Sequence, residues 1–230
     1  MIVDMHVHTN KGGYDSMLSV PQLIGEAQRR GLDGVCVTEH CYVWSRKELR
    51  ELVSDYHLTL FSGTEVETDM GHIIVFGLDR YISGIHRAAE LRRVADDIGG
   101  FVIAAHPFRR FFELEELKVK PQREWDQVLD DALHVPVLDV VDDIEVLNGG
   151  CNERENLLAV QVAQRVGMRG TAGSDAHSTH GLGRFVTVFE RELENEADLI
   201  AELKAGRFFP ASRTASGEVV PLSEEGPFGP

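Results

Sequence analysis

Ala172-Gly173-Ser174-Asp175-Ala176-His177 places an acid and an imidazole two residues apart, where a short apolar run breaks into glycine. A carboxylate and a neutral ring nitrogen projecting from one strand end can share a divalent cation. Asp4-Met5-His6-Val7-His8 repeats the pattern near the other end of the chain. His6 and His8, two apart on an extended backbone, face the same side. His40, Glu65 and His106 each end or follow an apolar run, and His72 begins one. A lone histidine in such surroundings is most often a core residue. Six of ten at equivalent places, with acids beside them, point to metal chemistry instead. No serine or cysteine carries the signature of a catalytic nucleophile.

The elements that must position these groups are short. Met1–Val7 alternates as a first strand, and Ser19-Val20-Pro21 opens a helix with Leu23, Ile24 and Ala27 on one face that runs out at Gly31. Gly34–Thr38, Leu58–Phe61, His72–Gly77, Phe101–Ala105, Ile144–Gly149 and Phe185–Phe189 read as strands. Helices are expected near 46–55, 86–98, 155–166 and 196–205. Strand then helix, many times over, predicts an α/β fold with parallel strands. The polar residues follow at least five different strands, which favours a barrel, because a barrel gathers all its strand ends around one mouth.

The formal net charge of −15 argues against a broad nucleic-acid-binding face, although a local cationic centre can still hold a small anion. Three irregularly spaced cysteines read as reduced thiols in a cytoplasmic protein. No apolar run is long enough to span a membrane, and no signal peptide is expected. One domain over 1–213 is expected, with 214–230, rich in Gly, Pro, Ser and Glu, as a loosely held tail.

Taken together, Asp4-x-His6-x-His8, Thr38-Glu39-His40, Gly63-x-Glu65, Ala105-His106-Pro107 and Gly173-Ser174-Asp175-x-His177 resemble the motifs of the PHP (polymerase and histidinol phosphatase) family, in the family's order. The resemblance implies a distorted, TIM-like (β/α)7 barrel with the metal site at the C-terminal ends of its strands. It puts the ligands on His6, His8, Asp15, His40, Glu65, His72, His106, Asp175 and His177, and makes Glu65, Asp175 and His177 the catalytic groups. Two departures are visible: an acid at position 15, where some members carry histidine, and Glu39, the expected orienter of a ligand, where aspartate is common. Glu67 lies on the same strand face as Glu65 and is its rival; Glu65 alone matches Gly-x-Glu.

Mixed imidazole and carboxylate donors suit two to three ions of Mn, Fe or Zn. Three such ions carry about +6, and three carboxylates cancel about half of it. The expected reaction is in-line attack of a metal-bridged hydroxide on a small phosphomonoester. Arg109, Arg184 and Asn148 are the expected substrate-binding residues, with Trp44, Phe111 and Phe112 as candidates for stacking a base. The irregular stretch 108–137 is long enough to fold over the opening. A nucleoside monophosphate or 3′,5′-bisphosphate leads as substrate, histidinol phosphate is the alternative, and an exonuclease is disfavoured by charge. A non-catalytic, metal-stabilised binding module is the reading from another class. A metal amidohydrolase with a carbamylated lysine lacks a lysine at a strand end. The sequence is silent on the oligomeric state.

Overall fold

The computed structural model describes residues 1–12, 15–40 and 42–222. Among the described residues ten strands form one mixed sheet: β1 (Ile2–Val7), β2 (Gly34–Glu39), β3 (Thr59–Thr68), β4 (Gly71–Phe76), β5 (Phe101–Ala104), β6 (Asp143–Asn148), β7 (Thr171–Gly173), β8 (Phe185–Phe189), β9 (Phe208–Arg213) and β10 (Val219–Pro221). Their order is β10-β9-β8-β1-β2-β3-β4-β5-β6-β7. The sheet curls so that its β7 end returns to β1. There the Asp175 amide donates to the His6 carbonyl at 2.8 Å, and the His8 amide to the Ala176 carbonyl at 3.0 Å.

Helices α1 (Val20–Arg30), α2 (Arg46–Leu52), α3 (Ala88–Ile98), α4 (Glu113–Glu116), α5 (Trp125–Leu133), α6 (Glu153–Val166) and α7 (Glu196–Ala205) complete the fold. α1 starts where expected, with Pro21 in its first turn and Gln22 accepting from the Ser19 amide at 3.0 Å. It stops at Gly31, whose left-handed φ of 65° disfavours any residue with a Cβ. Helix α6 is capped by Asn152, which accepts from the Glu155 amide at 2.9 Å.

The mixed α/β architecture agrees with the sequence, but a regular run of seven (β/α) units is not what the chain does. β3 and β4 form a hairpin with no helix between them, and β4 lies antiparallel to β5 as well. β8 pairs antiparallel with β1, and β9 and β10 extend that edge. The β4 reversal has a chemical consequence: His72 starts its strand, yet stands at the same end of the sheet as residues that finish theirs.

Three apolar clusters hold the sheet in shape. Val3, Met5, Phe61, Phe76 and Ile103 fill the inside of the curl, where Leu199 and Leu203 of α7 join them. Leu23 and Ile24 of α1 and Leu49 of α2 pack on the outer face of β1 and β2. Helices α3, α5 and α6 cover the outer face of β4 to β6. Phe108 and Phe112 belong to this last cluster, so 108–137 is anchored to the outer wall by its aromatic residues. Residues 214–222, expected in a loose tail, carry a turn and β10; 223–230 lie outside the described residues. Cys36 and Cys151 are free thiols, and Cys41 lies outside the described residues. No described helix is long and apolar enough to cross a membrane.

Asp143, at the start of β6, is buried and accepts from the Gly170 and Ile144 amides at 2.9 and 2.8 Å. Burial outweighs those bonds and lifts its pKa to about 6. Between about pH 4 and 6 the folded chain therefore holds a proton that the unfolded chain has released, so stability falls as pH rises through this window. Asp143→Asn should thus gain on wild type by up to about 3 kcal/mol between pH 4 and pH 6.5, measured as the difference in urea-unfolding free energies. A constant difference across that range would refute it.

Candidate metal centre

β1 carries the first ligands, and a bulge decides where they point. Its register against β2 slips between Asp4 and Val7. Val3 and Met5 face the inside of the curl, whereas beyond the slip Val7 packs outward with α1. The extra residue resets the alternation, so His6 and His8 both turn inward. Asp4 is left on another side, where its carboxylate accepts from the Ser174 and Gly183 amides, each at 2.8 Å. Asp4 therefore clips the β1 start to the loops around β7. Burial raises its pKa to about 6 against those bonds.

Glu65, buried in β3, is the hub. Oε1 lies 2.8 Å from His72 Nδ1 and 3.0 Å from His106 Nε2. Oε2 lies 3.1 Å from His8 Nε2, 3.3 Å from His6 Nε2 and 3.5 Å from His40 Nδ1. Glu67, its rival, is exposed at the hairpin end, opposite His72 in the ladder. Asp175 Oδ1 stands 3.5 Å from both His6 and His8 Nε2 and 3.7 Å from His177 Nδ1. Asp15, on the exposed rim, reaches His40 Nε2 at 3.1 Å and His177 Nε2 at 3.3 Å. All nine expected ligand residues thus meet at one mouth.

The electrostatics show what this donor set asks for. Burial pushes the His6 pKa down, but the charges of Glu145, Asp175 and Glu65 outweigh it and hold it well above the ordinary value. His8 is likewise raised: burial opposes, while Asp175 and Glu65 accept its proton. Glu65 goes the other way, well below the ordinary range, because the His6 charge and bonds from His106 and His72 overcome its burial. Burial lowers His40, and a bond to Glu65 raises His72.

The carboxylates that raise His6, His8 and His72 would equally hold a cation. His6 Nδ1 faces both Glu145 oxygens at 3.2 Å, which leaves Nε2 as its free lone pair. That Nε2 lies 2.9 Å from His8 Nε2, and His8 Nδ1 is buried with no partner. Two ring nitrogens meeting head-on beside two carboxylates fit a divalent cation between them. Three overlapping sets of donor atoms converge closely enough: His6, His8 and Asp175; His6, Glu65 and His106; His8, His40 and His177.

Two of these positions carry strained backbone. Asp175 and His106 have φ of 52° and 32°, the left-handed side that residues with a Cβ avoid. Gly173 is required for space: a Cβ there would lie 2.5 Å from His6 Cβ and 2.9 Å from Glu145 Oε1.

Glu145 is the residue that motif reading passed over. It is buried in β6, holds His6 Nδ1, and accepts from the His106 amide at 3.0 Å and Asn148 Nδ2 at 2.8 Å. An acid inside the apolar run Ile144–Leu147 was the available signal, since glutamate is almost never fully buried without partners. Glu145→Gln should weaken metal affinity about 10- to 100-fold, read by chelator competition. Unchanged affinity would remove Glu145 from the centre.

The expected substrate groups fare unevenly. Arg109 is at the mouth, with Nη1 3.4 Å from Asp175 Oδ2. Arg184 is exposed, its guanidinium 5.0 Å from the Phe185 ring centre. Asn148 does not line the opening. It is fully buried, with Oδ1 accepting from the Gly150 amide at 2.7 Å and Nδ2 given to Glu145. Trp44 and Phe112 are buried, and Phe111 packs with Phe108 and Phe112 and carries the Arg123 guanidinium 5.0 Å from its ring centre. Glu39 bonds Trp44 Nε1 and the Thr9 amide, each at 3.1 Å, and so steadies the chain just after His8 rather than a ligand ring.

The chain is similar to several known proteins. Over 98 residues the chain is 33% identical to a "Probable histidinol-phosphatase" from Thermotoga maritima, covering 39% of this chain and 41% of that one. PsfC from Pseudomonas syringae superposes with a TM-score of 0.61 at 21% identity, over 94% of this chain and 92% of PsfC. A two-domain protein from Bacteroides vulgatus, described as containing a predicted PHP-like metal-dependent phosphoesterase, superposes with a TM-score of 0.60 at 20% identity. It is covered over 64% of its length by 91% of this chain. At these identities the two structures share the fold. A PHP-associated region matches residues 153–208, and the PHP domain itself matches residues 4–130, more than half of the chain, which therefore belongs to the PHP family.

Proposed function

We propose that this chain is a metal-dependent phosphoesterase that releases phosphate from a small phosphomonoester. The observation that carries the proposal is the gathering of five imidazoles around Glu65, with His6 and His8 Nε2 facing each other at 2.9 Å. His6, His8 and Asp175 would hold one ion, His6, Glu65 and His106 a second, and His8, His40 and His177, with Asp15, a third. This mixed donor set suits Mn, Fe or Zn. Such ions, when bound, lower the pKa of water and stabilise charge on the attacking and leaving oxygens of a phosphoryl group. Glu145 fixes the His6 ring so that Nε2 faces the centre. Arg109, half-exposed beside Asp175, is placed to take a phosphate oxygen from the solvent side.

A nucleoside monophosphate or 3′,5′-bisphosphate leads as substrate. Histidinol phosphate is the second reading, favoured by the Thermotoga maritima relative's name. A cytoplasmic location is part of the same proposal. The net charge of −15 supports a small ligand over a long polynucleotide.

The Mn-loaded protein should release phosphate from a mononucleotide with kcat/KM at least about tenfold above that for each end of a labelled single strand, or about 1.4 kcal/mol. Histidinol phosphate in the same panel separates the two substrate readings. Preferred, processive shortening of the strand would move the protein to the nuclease side of its family.

A further inference from the structure

A cavity of about 710 Å³ opens from Asp175 and His177 and runs away from the metal centre, past Gly181 and Gly183, to a wall of arginines. Arg29 and Arg30 come from the last turn of α1, Arg184 from the loop before β8, and Arg213 from the end of β9. Four guanidiniums in one basin stand out in a chain whose net charge is −15. Among the described residues, Glu26 is the only carboxylate that ion-pairs with any of them, through Arg29 and Arg30.

The wall is built, and among the described residues one of its cations has no hydrogen-bond or ion-pair partner. Arg213 is fixed by donating to the Arg30 and Gly217 carbonyls. Arg29 Nε donates to Glu26 at 2.8 Å. Arg184 rests on the Phe185 ring and, among the described residues, its guanidinium has no hydrogen-bond or ion-pair partner. Burial, and then the like charge of Arg30, pull the Arg213 guanidinium below its ordinary pKa. An anion seated between the arginines would relieve that repulsion.

We propose that this basin is a second anion subsite, so that the substrate is a phosphomonoester whose far end carries another anionic group, phosphate or carboxylate. The inference rests on the phosphoesterase reading for the identity of the first group. A cavity of this size takes a small metabolite whole, and guanidinium forks match either anion. Arg109 and Arg184 are thereby divided: Arg109 serves the phosphate at the metal centre, and Arg184 the distant anion.

The test uses non-hydrolysable ligands with the metal-loaded protein, so that binding is read apart from turnover. Isothermal titration would compare alkane bisphosphonates of roughly three to six carbons with the matching monophosphonates and phosphonocarboxylates. At the fitting length, the bisphosphonate should bind at least about tenfold tighter than the monophosphonate, ~1.4 kcal/mol. Arg184→Ala and, separately, Arg30→Gln should bring that ratio to within about twofold of one, with Arg213→Lys as the conservative check on the fixed guanidinium. A phosphonocarboxylate that equals the bisphosphonate assigns a carboxylate to the far end; a weaker one assigns a phosphate. No preference at any length, or equal losses on both ligand types in Arg184→Ala, would overturn the subsite. A preserved preference in a protein that hydrolyses no phosphomonoester keeps the subsite and overturns the enzymatic reading instead.

Discussion

Glu65→Gln is expected to strip the centre of metal and to lower phosphomonoester turnover by about 10³-fold, roughly 4 kcal/mol of transition-state stabilisation. The change keeps the side chain's shape and removes only its charge. That charge faces His6, His8, His40, His72 and His106 at 2.8–3.5 Å, more imidazoles than any other carboxylate in the centre meets. The metal-free variant should also lose stability at pH 7. Glu65 is held below its ordinary pKa, so its contribution is full above that ordinary value and vanishes as pH falls through the folded one. Metal content by mass spectrometry, phosphate release and the metal-free melting temperature would be read side by side. Full occupancy with near wild-type turnover would show that Glu65 is a packing residue.

Asp175 separates charge from backbone. Its φ of 52° suits aspartate and asparagine but strains alanine by about 1–2 kcal/mol. Asp175→Asn should lower turnover by on the order of 10²- to 10³-fold while melting close to wild type. Asp175→Ala should lose as much activity and melt lower as well. The His6 carbonyl bond at 2.8 Å holds the backbone in place in both variants, so the comparison isolates the Cβ strain. Equal melting of the two variants would argue against strain at this position. Wild-type turnover in Asp175→Asn would remove the residue from the centre.

The residue types that reach the mouth are legible in the amino-acid sequence itself, because ligand donors are chemically distinctive and stand where apolar runs end. His6, His8, His40, Glu65, His106, Asp175 and His177, which end or follow such runs, arrive there, and Asp15 and His72, expected as ligands from the family resemblance, join them. The helices ending at Gly31 and Gly167 are equally readable, since a left-handed glycine stops a helix through local sterics alone. Local chemistry of this kind needs no knowledge of distant neighbours.

What the tertiary structure alone decided depends on partners far away in the chain. The slip between Asp4 and Val7 turns His6 inward and sends Asp4 to Ser174 and Gly183, which a period-two pattern cannot foretell. The reversal of β4 brings His72 to the mouth from the start of its strand, because strand direction is set by the hairpin with β3 and the pairing with β5. Burial also decided the part played by Asn148, expected at the substrate, and by Glu145, which had none: the amide is spent on Glu145 and Gly150, while the acid steers His6. The same holds for Arg29, Arg30, Arg184 and Arg213, which are scattered through the sequence and become one wall only where α1, the β8 approach and β9 converge. A sequence shows which groups can bind a metal or an anion; which of them face one another is set by the packing of the sheet against its helices.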